Sequence, residues 1–579
     1  MACKERILSN DYADIIIDFP VRIDSDSEEI CYIEIDEQFG IVTEEWNAVF
    51  STPNSVIYYE NMPNVYGLME PNAKEIHQAE EVMYDYFDTT SLDASGITRA
   101  QHPPLSLTGA GVVICYIDTG IDYTHPVFRK PDGSSRILAI WDQTIQDGQP
   151  PEGFIYGTEY TQEEINRALN EADPYSVVPS RDENGHGSTL ASVGSGSRMD
   201  GISSFLGAAP DSEIVVVKLK ECKQNLRDFY LVPDGVPAYS ETDIILAVKY
   251  GDSFVRISER PVVFCLGVQT NLGGHSNNSV LSKYLISIAV QRSRVVVVGG
   301  GDEGSAAHHY MGVLRESAPN AGSYENVEIL VSENSKGFFM ELWGSEPDIF
   351  YVEIHSPSGE IVRPVWLADN QGVTYTFVYE KTKITIETLT IEAYTGAELI
   401  LFRVEDPTPG IWTLKVSSEG TVYNGTFHVW LPITQFLNEP VYFLEPDVYT
   451  TLSSPAMATR VLSVSTYDAR NNSLYVNSGR GYSRLLEKRP DLSSPGVSVD
   501  TIYGTLTGSG LGAAVMAGGA AQFMQFLMSQ ESRGVLESRI TSNYFIRGAA
   551  RDSNIEYPNR SFGYGRLDVM GAIDALAEL

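Results

Sequence analysis

Four short apolar runs constrain this chain more than any other feature: GVVICYIDTG (111–120), SEIVVVKLK (212–220), PVVFCLG (261–267) and SRVVVVGGG (293–301). Each is rich in Val or Ile and closes on Gly, Asp or Lys. A strand with one wet face alternates polar and apolar residues, whereas a strand covered on both faces does not. These runs therefore read as central strands of a parallel sheet. Segments with helical periodicity lie between them: YTQEEINRALNEA (160–172), SETDIILAVKYGDSF (240–254) and NSVLSKYLISIAVQR (278–292). The alternation predicts a doubly wound α/β domain whose chemistry sits at the carboxyl ends of the strands.

Two other textures interrupt this pattern. Residues 1–92 form an acidic leader with strand-like runs (ADIIIDF, EICYIEID, SVIYYEN) and one helical stretch, NAKEIHQAEEVMYDYFD, which suggests a small α+β domain. Between 322 and 436 come eight β-rich runs, among them GFFMELWG, DIFYVEIHSPSG and NGTFHVWL, spaced by turn residues as in an all-β sandwich. The α/β domain is thus expected in two parts, 93–321 and 437–579, with the sandwich inserted. A length of 579 residues exceeds one simple core and accommodates this division.

Charge excludes some partners. With 77 acidic against 40 basic residues the net charge is −37, a field that repels nucleic acid and anionic membrane. The five cysteines (Cys3, Cys31, Cys115, Cys222, Cys265) show no metal-binding spacing and read as thiols of a reducing compartment. The N-terminus carries no secretion signal, and no apolar stretch reaches the length of a membrane span. An intracellular, soluble protein is expected.

Two residues stand where an α/β sheet places chemistry. Asp118 closes the first run in YIDTGID, and His186 lies in NGHGSTLASVGSG ahead of a small-residue helix. Taken singly, each has a plainer explanation as a turn-capping Asp or a structural His. Taken with TGSGLGAAVMAGGAA (507–521) far downstream, they give the order Asp, His, glycine-rich helix start that subtilisin uses for Asp, His and Ser. On VVICYIDTGIDYTHP, ENGHGSTLASVGSG, PVVFCLG, VVVVGGGDEG, RPDLSSPGVSV and TGSGLGAAVMAGGAA, the chain resembles the subtilisin-like (S8) serine proteases. The leader, the β-insert, GDEGSAAHH and SGRGY make it similar to the germination-specific (Csp) subtilases of clostridial spores, which carry a prodomain and an inserted jelly-roll domain.

The chain departs from that family at its chemistry. Aligned without a gap on Ala517-Gly518, the family's Gly-Thr-Ser becomes Gly508-Ser509-Gly510, so Gly510 stands at the nucleophile position. Moving Ser509 there needs an extra residue, which turns the following helix by about 100°. The oxyanion asparagine of the family's Gly-Asn-x-Gly turn becomes Asp302 in Gly301-Asp302-Glu303-Gly304. An ionised carboxylate cannot donate to an oxyanion. The substrate-binding Ser-Leu-Gly becomes Cys265-Leu266-Gly267, a change that leaves main-chain pairing with an extended peptide intact. Cys265 lies on a separate strand and is not expected to act as a nucleophile.

The resemblance implies a subtilisin-fold pseudoprotease of a spore, with Asp118 and His186 as a retained dyad, acting by binding. The alternative is an active endopeptidase that processes a cortex-hydrolase precursor with Ser509 as displaced nucleophile. The implied partners are the chain's own prodomain lying in the cleft, with the prodomain junction near Thr90–Ser95, and a paralogous Csp protease or a cortex-hydrolase precursor. No cofactor is implied. Structural calcium occurs in many subtilases, but no EF-hand spacing is present, and the adjacent His308 and His309 are not assigned to a metal.

Overall fold

The computed structural model of the chain describes residues 2–18, 31–46, 62–70, 89–199, 205–315, 324–363, 371–418, 421–530 and 538–577. The four apolar runs form Val113–Asp118, Glu213–Lys218, Val262–Leu266 and Arg294–Gly299. Together with Ile137–Asp142 and Leu462–Asp468 they lie parallel, in the order Leu462–Asp468, Arg294–Gly299, Val262–Leu266, Val113–Asp118, Glu213–Lys218, Ile137–Asp142. Three short strands complete a nine-stranded sheet. Leu492–Pro495 runs parallel to Leu462–Asp468, while Thr158–Thr161 and Ser473–Leu474 are antiparallel to their neighbours.

Why the runs do not alternate is visible in where their residues go. Ile114, Tyr116, Val263 and Cys265 enter one core, and Val113, Cys115, Ile117, Phe264 and Leu266 enter the other. The period of two survives, but both faces are dry. Each fully buried Val or Ile contributes roughly 1.5–3 kcal/mol, so the sheet is the energetic centre of the fold. Helices His186–Ser195 and Ser509–Ser529 cover the first face, and Glu241–Ile257 and Val280–Ala289 the second.

The helix Ser509–Ser529 corrects one expectation. At 21 residues and a mean hydropathy of 1.3 over its best window it is long and apolar enough to cross a membrane, although the sequence pattern predicts no such stretch. Its Gly and Ala residues hide that length, and 83% of the window is packed inside the protein. It is a core helix, and it places its N-terminus at the strands' carboxyl ends.

The insert is a sandwich of two antiparallel sheets. One is ordered His309–Val313, Thr426–Trp430, Gly337–Gly344, Leu399–Glu405, Lys383–Leu389, Gln371–Thr376. The other is ordered Ile361–Val362, Phe350–His355, Gly410–Ser418, Tyr324–Val331, Val441–Phe443. Phe338, Phe350, Phe402, Trp412 and Phe427 fill the space between them. The sandwich therefore takes in His309–Val313 and Val441–Phe443, on either side of 322–436.

In the leader, strands Tyr12–Asp18, Phe39–Glu45 and Cys31–Glu34 form an antiparallel sheet beside the helix Cys3–Leu8. That helix brings Cys3 onto Cys31 and the two form a disulfide, where the spacing predicts free thiols. A buried ion pair ties the leader to the body: Lys223 Nζ lies 2.8 Å from Asp14 Oδ2, and both side chains are 8% exposed. Removing one partner of such a pair strands a buried charge and costs about 3–5 kcal/mol. SVIYYEN (55–61) and the helical stretch at 72–88 lie outside the described residues.

Candidate active-site cleft

Asp118 ends its strand 1% exposed, and its Oδ1 lies 2.6 Å from His186 Nδ1. The same oxygen accepts from the Thr119 N–H. His186 opens the helix His186–Ser195 and is fully buried. The approach is tight: a Cβ on Gly267 would collide with Asp118 Oδ2, so only glycine lets the strand pass. The structure thus brings Asp118 and His186 into direct contact.

What faces the dyad is a segment of the leader. Val65–Leu68 runs antiparallel to Val268–Gln269 on one side and to Tyr239–Ser240 on the other. Met69 N–H then donates to the Gly267 carbonyl. The Met69 carbonyl accepts from His186 Nε2 at 2.8 Å. His186 therefore meets a carboxylate at one nitrogen and a carbonyl at the other, and satisfying both requires a proton on each. Burial pushes its pKa down, but the Asp118 charge and hydrogen bond, with the Met69 carbonyl, outweigh it and the net shift is upward. A doubly donating imidazolium has no lone pair with which to act as a base.

Gly510 stands at the first turn of Ser509–Ser529. Its N–H donates to the Glu70 carbonyl at 3.0 Å. A Cβ there would lie 3.1 Å from that oxygen, 3.2 Å from Leu190 Cδ2 and 3.5 Å from His186 Nε2. The vector along which a nucleophile would project thus leaves Gly510 and points at the imidazole and the leader carbonyl. Ser509 is directed elsewhere: its Oγ donates to Asp302 Oδ2 at 2.7 Å and its N–H to Asp302 Oδ1 at 3.0 Å. Among the described residues, Ser509 and His186 share no hydrogen bond.

Asp302, in the turn after Arg294–Gly299, is buried beside Glu70 and accepts from the Glu70 N–H at 2.7 Å. Burial pushes its pKa up to about 8, with the Glu70 charge adding to the rise and the donors at Ser509 and Glu70 opposing it. Its own N–H donates to Gln269 Oε1.

Of the three substrate-strand residues, Gly267 is the one that hydrogen-bonds the leader segment among the described residues. Cys265 pairs with Tyr116 and Val297, and Leu266 with Ile117 and Val298, inside the central sheet. Burial raises the Cys265 thiol far above its usual range, with the Asp118 charge a further cause, so it is inert. Pairing with the leader begins at Gly267 because the strand leaves the sheet only there.

Several contact residues escape a reading of the sequence. Gln269 Nε2 and Gln435 Nε2, the latter from the chain between the insert strands Thr426–Trp430 and Val441–Phe443, both donate to the Leu68 carbonyl. Tyr475 OH donates to Glu70 Oε2 at 2.6 Å. The only signal for this contact is the short extended run NVYGLME. His308 pairs with Glu303 at 2.7 Å, and His309 with His428 at 2.9 Å. Among the described residues no group of three or more His, Cys, Asp or Glu side chains is placed to hold a metal.

Residues 109–333 and 445–565 match the model of the Subtilase family, Peptidase S8. The chain is similar to the CspB protease of Clostridium perfringens, with a TM-score of 0.74 and 28% identity over 85% of this chain and 100% of that one. It also matches MycP1 with its N-terminal propeptide removed (TM-score 0.37, 13% identity, 84% of this chain and 96% of that one). A third match is the patellamide maturation protease PatA (TM-score 0.38, 12% identity, 81% of this chain and 98% of that one). No curated protein sequence matches the chain.

Proposed function

The chain belongs to the subtilase family, and from that premise we propose that it is a pseudoprotease, a subtilisin fold that works by binding. The observation that carries this is the Gly510 position: the point 3.5 Å from His186 Nε2 that a Cβ would occupy bears no side chain, and the Glu70 carbonyl fills the space in front of it. Two further features support it. His186 donates from both nitrogens, and where the family places an oxyanion-stabilising amide stands Asp302, whose two oxygens are engaged by the donors of Ser509 and Glu70. In subtilisin, loss of the serine costs on the order of 10⁶ in rate and loss of the oxyanion asparagine about 10²–10³. The displaced-nucleophile reading has against it that Ser509 Oγ is committed to Asp302.

By likeness to the Csp subtilases we place the protein in the spore, as a regulator of germination proteolysis. Its partner would be a paralogous Csp protease or a cortex-hydrolase precursor, met on surfaces outside the filled cleft. The leader, residues 1–92, acts as a retained prodomain. The residue whose carbonyl meets the Gly510 N–H is Glu70.

The test is hydrolysis of an unfolded protein substrate by the full chain. Products no greater than the blank, with Ser509→Ala identical to wild type, are expected. Products that vanish in Ser509→Ala would overturn the proposal.

A further inference from the structure

The two departures from the family motif meet at one residue of the leader. Glu70 has its N–H on Asp302 Oδ2, its carbonyl on the Gly510 N–H, and one carboxylate oxygen on Tyr475 OH. Asn477 Nδ2 reaches that oxygen at 3.5 Å and Tyr475 OH at 3.0 Å, so the two side chains form a joined polar wall.

The donors around residue 302 explain why an acid stands there. Oδ1 accepts from the Ser509 N–H, while Oδ2 accepts from the Glu70 N–H and the Ser509 hydroxyl. An asparagine would have to turn its NH₂ toward one of these donor sets, and at least one bond would be lost. Glycine at 510 has a matching reason. A Cβ 3.1 Å from the Glu70 oxygen is closer than ordinary van der Waals contact allows. Both substitutions therefore fit the cleft to a peptide that stays.

We propose that Asp302, Gly510, Tyr475 and Asn477 form a glutamate-reading anchor for this chain's own residue 70, converting the oxyanion and nucleophile positions into an intramolecular peptide dock. The inference rests on the pseudoprotease reading and adds to it the residues that hold the segment and the side chain they select. The ligand class is an extended peptide that ends its pairing at Met69 and presents an acidic side chain next. Tyr475 and Asn477 supply selectivity through the carboxylate. Asp302 and Gly510 hold the main chain whatever the side chain.

The experiment is hydrogen exchange at residues 65–70 in the full chain, with intact mass recorded for every variant. Asp302→Asn is expected to speed exchange there by tenfold or more while Val113–Asp118 keeps its protection. Tyr475→Phe removes one hydroxyl from a half-buried ring and leaves the fold in place, so it serves if Asp302→Asn fails to fold. Tyr475→Phe and Glu70→Gln should each speed exchange several-fold, and the double variant should add little to either. Unchanged exchange in Tyr475→Phe, or fully additive effects, would overturn the anchor. Fragments split after residue 70 would instead overturn the pseudoprotease reading, so the two failures are distinct.

Discussion

Replacing Gly510 with alanine sets two known effects against each other. In an ordinary helix the change stabilises by up to about 1 kcal/mol, because glycine has more freedom to lose. Here the new Cβ meets the Glu70 carbonyl oxygen at 3.1 Å and Leu190 Cδ2 at 3.2 Å. Neither neighbour yields easily. Glu70 is held by Asp302 at its N–H and by Tyr475 at its carboxylate, and Leu190 is 1% exposed within the core. Overpacking costs about 1–3 kcal/mol; with both neighbours held, the upper part of that range, about 2–3 kcal/mol, less the helix gain of about 1, leaves a net destabilisation of about 1–2 kcal/mol. The strain falls between body and leader, so it should open the leader segment rather than the whole molecule. That energy corresponds to roughly 5- to 30-fold in the opening equilibrium. Hydrogen exchange at residues 65–70 should accelerate by that factor, with the central sheet unchanged. Unchanged or slower exchange would mean that the space beyond Gly510 is open, and the steric part of the account would fail.

Gly510→Ser alone should leave the chain uncut, because His186 still donates to the Met69 carbonyl and Asp302 stays committed to Ser509 and Glu70; mass spectrometry after prolonged incubation checks this. Gly267→Ala, whose Cβ would collide with Asp118 Oδ2, should abolish recovery of folded protein or dismantle the Asp118–His186 pair, read by thermal unfolding and the His186 NMR resonances. His309, stacked on Trp430 at 4.7 Å, is held neutral by burial, which pushes its pKa down to about 4. Its contribution is complete above the unfolded value near 6.5 and is lost as pH falls toward 4. Burial raises Asp302 and Glu398 to about 8, an effect of opposite sign, so total stability does not isolate the histidine. The difference between wild type and His309→Phe does. Between pH 7.5 and 5 the variant should gain about 2 kcal/mol relative to wild type in denaturant unfolding.

The sheet is legible in the sequence because both its faces are dry, and dryness writes itself as unbroken Val and Ile between residues 113 and 299. The dyad is legible because Asp118 and His186 sit at ends of elements that the pattern already defines. Gly510 and Asp302 stand out as departures, yet their common purpose does not. It depends on Glu70, which reaches the site through pairings 200 residues apart in sequence, such as Leu68 with Val268. The expected prodomain junction near Thr90–Ser95 draws on a change of texture. Glu70 reaches Gly510 before that expected junction, and Ile97, after it, is buried in the body's core. The Cys3–Cys31 bond is illegible for a similar reason, since a separation of 28 residues says nothing about which strand a short helix will cover.

A pseudoprotease never releases its own leader segment. The most direct test of this is the intact mass of the protein expressed alone and purified without added protease. A single species near 63.8 kDa is predicted. Two associated fragments, divided after Glu70 or elsewhere in the leader and absent from Ser509→Ala, would contradict it.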